Sequence, residues 1–157
     1  VNRVKSERYR VKHINGYPIH ETKVESVTGR IYTFREQEAP AFLKKRGTMY
    51  GFKPTEIKNY FVQGLATADF VPMVAGHLYR MSLKKGIECK WVNTVHDSLL
   101  AETDDLEAFV RFIHSSLDHI DTIVRERLVP DWNLPIKYTI EAGTSWADKK
   151  EIEHGND

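Results

Sequence analysis

The chain has 157 residues, 41% of them hydrophobic and 11% aromatic, which fits one ordinary globular domain with a buried core and argues against a disordered protein. Its net charge is +1, from 23 Lys and Arg against 22 Asp and Glu, less basic than a stand-alone nucleic-acid binder usually is. The apolar runs are broken by charges well short of the roughly 20 residues of a membrane span, no signal-peptide pattern opens the chain, and the single Cys89 excludes an internal disulfide framework.

Charge is uneven along the chain. Residues 1–58 carry a clear excess of Lys and Arg, including Arg3, Lys5, Arg8, Arg10, Lys12, Lys44, Lys45 and Arg46, whereas residues 102–126 are acidic on balance. Cys89 reads as a small buried residue in a reducing compartment.

The first 35 residues read as strands. Polarity alternates from Tyr9 to Ile14, Asn15-Gly16 is a strong hairpin signal, and the chain runs back from Ile19 to Val27. A second turn at Thr28-Gly29 leads into Ile31–Phe34, so the pattern predicts an antiparallel meander. Residues 36–54 hold Pro40, Gly47, Gly51 and Pro54 and read as a loop with one short helical turn. From about Thr55 to Lys85 apolar residues recur at three- and four-residue steps, from Ile57 and Phe61 through Leu78 and Met81, which predicts a helix. Pro72 should kink or divide it, and Gly86 should stop it.

Two short runs, Lys90–Val95 and Leu99–Glu102, flank His96-Asp97-Ser98 and predict a second hairpin. A helix is then expected from Asp104, with Glu107 completing a capping box. Its apolar face runs from Leu106 to Leu128, and Pro130 ends it. Residues Leu134–Ile140 read as a final strand, and Glu151–Asp157 as a frayed polar tail. The order predicts an α+β fold with two main helices against one face of an antiparallel sheet. Residues 1–54 would lead into a main portion, 55–152, followed by a tail at 153–157.

A carboxylate at the tip of a hairpin is a rigid, accessible ligand for a hard cation such as Mg²⁺. On position and neighbours alone, a turn-forming aspartate explains Asp97 equally well. His96 alone reads as a surface histidine, Gln63 as a solvated side chain, Asn59 as a residue near a helix N-terminus, and Arg30 as decoration on a strand. His114 and His119 are five apart, which does not align them on one helix face.

Three ordered segments resemble the C-terminal part of the palm of family A DNA polymerases. Asn59 followed by Gln63-Gly64, small residues and Asp69 resembles the family's DNA-contacting helix. Val95-His96-Asp97-Ser98 is similar to its motif C. The stretch from Leu134 to Gly143-Thr144-Ser145-Trp146 resembles its closing strand, and Gly29-Arg30 before an aromatic strand is a weaker match. The resemblance covers roughly residues 25–152 and implies a fragment of a polymerase hand, a palm sheet bearing the motif C hairpin.

The resemblance implies template-directed nucleotidyl transfer by two Mg²⁺ ions, with Asp97 as a metal ligand and catalytic residue and the second carboxylate outside this chain. His96 would act beside it and contact the primer terminus; Gln63, Asn59 and Arg30 would bind DNA. Gln63 could test pairing through the minor-groove acceptors that every correct pair presents at N3 and O2. Implied partners are primer–template DNA, a dNTP and the remainder of the polymerase, in the cytoplasm of a bacterial or phage-infected cell; the divergent motifs suit a phage-type enzyme. Two positions depart from the pattern. Ser98 replaces the usual Glu, and Thr55 stands where an Arg is usual, with Lys53 or Lys58 as weaker substitutes. The family's earlier Asp-Tyr-Ser strand and its fingers helix are absent, so this chain alone is expected to be inactive.

Two other readings compete. In an HD-type phosphohydrolase the His-Asp pair would lie inside a helix. A non-catalytic nucleic-acid-binding module derived from a polymerase would keep the contacts without the chemistry.

Overall fold

A computed structural model describes residues 8–155; the expectations for residues 1–7 and 156–157 lie outside them. Small antiparallel sheets and helices alternate along the chain, an α+β arrangement. It divides into two units, one ending at Ala68 and one beginning at Asp69.

In the first unit, β1 (Tyr9–Ile14), β2 (Tyr17–Glu25) and β3 (Ile31–Arg35) form the expected meander in the order β1-β2-β3. Asn15 and Gly16 both take positive φ, 51° and 81°, as a two-residue turn needs to match the twist of its strands. The register sets Thr22 opposite Phe34 and Val24 opposite Tyr32, so one face of the ladder is apolar. Short strands β4 (Gln37–Glu38) and β5 (Tyr50–Gly51) pair around a single turn, α1 (Ala41–Lys44). Helix α2 (Pro54–Gln63) opens with proline in its first turn, where the missing N–H leaves no bond unmade. Its Ile57 joins Val24, Phe34 and Phe52 in a core against which Tyr32 and Phe61 pack.

The expected helix over 55–85 is interrupted before Pro72 rather than at it. Residues Gly64–Phe70 form a π-helical segment, and α3 (Val71–Lys85) begins beyond it with Pro72 in its first turn. Gly86 ends α3 in the left-handed conformation at φ 64°, and the Ile87 N–H bonds the Ser82 carbonyl at 2.9 Å.

The second unit contains the expected hairpin of β6 (Lys90–Val95) and β7 (Ser98–Glu102). Helix α4 (Leu106–Leu117) is capped by Asp105, whose side chain accepts the Ala108 N–H at 2.9 Å. The Asp104–Glu107 capping box does not form, because Thr103 Oγ1 accepts the Asp105 N–H and starts the helix one residue later. The single helix expected as far as Leu128 is two, with α5 (Ile120–Arg127) starting after a break at Asp118-His119. Ile113, Leu117, Ile120 and Val124 stay buried across that break. Apolar spacing therefore continues through it and cannot reveal it.

The final strand is also displaced, since β8 spans Tyr138–Ala142 rather than Leu134–Ile140. Pro135 offers no ladder N–H, and the Trp132 indole N–H occupies the Leu134 carbonyl at 2.7 Å. Much of the expected tail is a strand, β9 (Lys150–Gly155), paired with β8 from Ala142↔Lys150 to Tyr138↔Gly155. Among the described residues the strands form separate small sheets, not one continuous sheet. The second core consists of Leu78, Phe112, Ile113, Leu117 and Ile120, with Trp91, Leu99, Tyr138 and Ile140 packed on it. Both hairpins of this unit are thus fastened to its helices. Cys89 is half-buried, and no described helix is long and apolar enough to cross a membrane.

Glu21 is a buried carboxylate that accepts the Tyr9 hydroxyl at 2.9 Å and the Arg35 Nε–H at 2.8 Å. The Arg35 bond, then the Tyr9 bond, hold its carboxyl below the ordinary value of 4.5. A lowered carboxyl pKa stabilises the fold above its unfolded-state value, and that stabilisation is lost as pH falls through the folded value. Urea unfolding at pH 7, 5, 4 and 3 should therefore show stability declining in the acid range. Glu21→Gln should be less stable at pH 7 and should flatten part of that decline; an unchanged pH profile would remove Glu21 from the account.

Candidate functional site

Half-buried residues near the base of the β6–β7 hairpin anchor it, and its tip is left in solvent. Trp91 and Leu99 pack on the second core, and the Trp91 indole N–H donates to Ser82 Oγ at 3.2 Å. An irregularity between Trp91 and Asn93 breaks the ladder and leaves Val92 without a cross-strand partner, a β-bulge that bends the strand. The ladder closes at Val95↔Ser98, so His96 and Asp97 alone make the turn. All four of these residues are exposed.

The turn carries strain. His96 is at φ 55°, and apart from glycine only Asn15 shares a positive φ among the described residues. A turn with positive φ at its first central residue ordinarily has glycine there, because a side chain is disfavoured in that conformation by about 1–2 kcal/mol. No hydrogen bond or ion pair among the described residues engages the side chain of His96 or of Asp97. His96 thus sets an uncommitted polar side chain beside an exposed carboxylate.

Mg²⁺ takes oxygen ligands, commonly one or two carboxylates plus waters or substrate phosphates. Asp97 offers one such carboxylate, and no group of three His, Cys, Asp or Glu side chains converges among the described residues. At this tip the described residues fit a single oxygen ligand for such a cation, not a complete cage. Ser98 adds only a neutral hydroxyl at the adjoining position.

The other candidates lie in the first unit. Asn59 and Gln63 are four residues apart on α2 and both exposed, so they share one solvent-facing surface of the helix. Asn59 stands in the middle of α2, not near its N-terminus. The Gln63 carbonyl accepts the Thr67 hydroxyl at 2.7 Å. Arg30 precedes β3, and its Nη2 donates to the Ala68 carbonyl at 3.3 Å. The first unit therefore gathers Arg30, Asn59 and Gln63 around one helical stretch, while His96 and Asp97 belong to the second. His114 shares a hydrogen bond with the Tyr138 hydroxyl at 2.6 Å, a structural role inside its own unit.

Sequence reasoning missed Tyr32. The small residues after Gln63 suggest close approach of a duplex or backbone, but at Gly64 the space is taken by the protein itself. A Cβ there would overlap the Tyr32 hydroxyl and come within 2.8 Å of its ring carbon. Tyr32 is held by rings of Phe34, Tyr60 and Phe61. The only sequence signal was an aromatic strand following Gly29-Arg30.

No protein-family model, curated protein or solved structure matches the chain.

Gly64→Ala should destabilise the chain by about 1–3 kcal/mol through overpacking, and Tyr32→Phe in the same chain should recover part of that loss in urea unfolding. Equal stability of Gly64→Ala and the parent would deny the contact. His96→Gly relieves the strained turn and should raise stability by about 1 kcal/mol. A drop instead would mean that the imidazole holds the hairpin together.

Proposed function

We propose that this chain is the motif C-bearing part of the palm of a family A DNA polymerase, contributing to template-directed nucleotidyl transfer on a primer–template. The observation that carries the reading is the hairpin tip, where a strained His96 and an exposed Asp97 stand on strands anchored in a core. It is the geometry that the His-Asp resemblance implies. The order of the Asn59–Asp69, Val95–Ser98 and Leu134–Trp146 segments adds support that a lone His-Asp pair would lack.

In this reading Asp97 holds Mg²⁺ together with a carboxylate from outside the chain. Two such ions, when bound, stabilise the attacking and leaving oxygens of an in-line displacement at the α-phosphate of the dNTP. Ser98 lowers the negative charge at the tip relative to the usual Glu, so Asp97 carries the cation with less help. His96 meets the backbone of the primer terminus. Gln63 donates from its amide to the minor-groove acceptors N3 and O2, which every correct pair presents, and so senses pairing without reading sequence. Asn59, one turn earlier on the same surface, extends that contact. The remaining palm, fingers and thumb come from the rest of the polymerase. An HD-type phosphohydrolase would need the His-Asp pair within a helix, and its place in a two-residue turn disfavours that alternative.

The test is primer extension with Mg²⁺ and four dNTPs, using this chain joined to or mixed with its upstream polypeptide. Asp97→Asn keeps the side-chain shape but removes the charge, so extension should fall by orders of magnitude while primer–template binding persists. Extension close to wild type by that variant would withdraw Asp97 as a ligand, and robust extension by the 157-residue chain alone would mean that its catalytic residues lie elsewhere. Binding without extension by the complete pair would favour the non-catalytic module.

A further inference from the structure

The two units carry opposite charge. Residues 8–68 hold 11 Lys and Arg against five Asp and Glu, a net +6, whereas residues 69–155 hold ten against 15, a net −5. A basic unit attracts polyanions through its field, but charge alone does not define a surface. The β1-β2-β3 meander gives this one its shape. Side chains directly opposite across an antiparallel ladder share a face, so Tyr9, Glu21 and Arg35 lie together, and the pairs Lys12↔Ile19 and Ile14↔Tyr17 add Lys12 and Tyr17. Tyr9 and Lys12 are three residues apart and would take opposite faces of a regular strand. The irregularity between Arg10 and Lys12 leaves Val11 as an extra residue and brings them to the same side. Val24 and Phe34, which build the first core, belong to the other face.

Two aromatic rings on this face are open to solvent, Tyr9 at 44% exposure and Tyr17 at 43%, and exposed Lys12 sits at the ladder position between them. Both rings are held in place. The Tyr9 hydroxyl donates to Glu21 at 2.9 Å, and Tyr17 packs against Tyr50 with ring centroids 5.9 Å apart. A ring already fixed loses little freedom when something stacks on it. Lys23 and Arg35 are exposed on the same face. Glu21, the carboxylate in the middle of it, is buried and paired with Arg35, whose guanidinium has more N–H donors than that contact uses. No ion pair among the described residues engages Lys12 or Lys23. Glu25, the exposed acid of the face, lies beyond Lys23 from the tyrosines.

We infer that this face of the meander binds single-stranded DNA, with Tyr9 and Tyr17 stacking on unpaired bases while Lys12, Lys23 and Arg35 meet the phosphates. Positive groups that track a backbone, interleaved with rings that take base faces, are what a single strand requires. In a duplex the bases are stacked on one another and offer those rings nothing. The choice of DNA over RNA rests on the proposed polymerase reading, in which the template has an unpaired stretch; the stacking surface itself does not. The residues are distinct from Gln63, Asn59 and Arg30, which that reading assigns to the paired primer–template.

The experiment measures binding of the full chain to labelled oligothymidylate by fluorescence anisotropy across a salt series, beside oligouridylate and a DNA duplex of equal length. Tyr17→Ala should weaken oligothymidylate binding by about tenfold, the effect of losing one stacked base, and leave the salt slope unchanged, whereas Tyr17→Phe should stay within about twofold of wild type. The Lys12→Gln, Lys23→Gln double variant should instead lower the salt slope by about 1.4, as expected for two single-strand phosphate contacts. The duplex should bind about tenfold more weakly than the single strand. Should Tyr17→Ala fail to fold, Tyr17→Leu, which keeps an apolar contact with Tyr50, makes the same comparison. Equal binding of duplex and single strand, or no loss in the Tyr17 variant, would reduce the face to ordinary positive charge and overturn the proposal. Tighter binding of oligouridylate would overturn DNA as the occupant. If oligothymidylate binds as stated but the chain supports no primer extension with its upstream polypeptide, this face stands and the polymerase reading fails. Extension that depends on Asp97, by a chain indifferent to oligothymidylate, would do the reverse.

Discussion

Residue 72 has no amide hydrogen, and the backbone around it is arranged to accommodate that. A proline inside a run of helical periodicity must either bend the helix or leave a carbonyl unbonded. Here the run passes through a π segment before the proline, and Pro72 falls in the first turn of the next helix. The boundary between the two units lies inside that segment. Ile57 on the near side serves the first core, and Leu78 on the far side serves the second.

The first unit packs aromatic rings against one another. Its aromatic residues Tyr32, Phe34, Tyr60 and Phe61 contact one another with ring centroids between 5.2 and 6.4 Å apart, which gives a small sheet rigid support for one helix. The buried Glu21 has a donor on each oxygen. The Tyr32 hydroxyl is different, because it is buried without a hydrogen-bond partner among the described residues. Leaving such a group unbonded costs about 1–3 kcal/mol, and its ring contacts and its seat on Gly64 offset that cost.

The second unit carries an exposed carboxylate on an anchored hairpin. Two strands cannot hold a hairpin firmly by themselves. Trp91 and Leu99 fasten this one to a core of α3, α4 and α5, while Val95 to Ser98 remain in solvent. Asn15-Gly16 and His96-Asp97 make instructive opposites. Both are two-residue turns, but the first uses residues suited to positive φ and the second puts an imidazole where glycine would be easier. The conformational cost at His96 is small enough for the anchored strands to bear. The proposed function gives it a purpose, since the side chain that causes the strain is the one placed beside Asp97.

Local signals were enough to locate most elements from sequence. Asn15-Gly16, Gly86 and the two runs around His96-Asp97 act through the backbone conformations of the residues themselves, which hardly depend on what packs above them. The candidate carboxylate at a hairpin tip was legible for the same reason. Periodicity was less decisive where it continued through a change of structure. Ile113, Leu117, Ile120 and Val124 keep helical spacing across the break at Asp118-His119, and β9 needed β8 beside it before a polar segment could become a strand. The sequence could say that Pro72 would disturb its helix, because the missing N–H belongs to the residue. Only tertiary structure decided what meets the segment before it: the Tyr32 ring at Gly64 and the Arg30 guanidinium at the Ala68 carbonyl come from more than thirty residues away, and no local pattern records a partner that arrives through space.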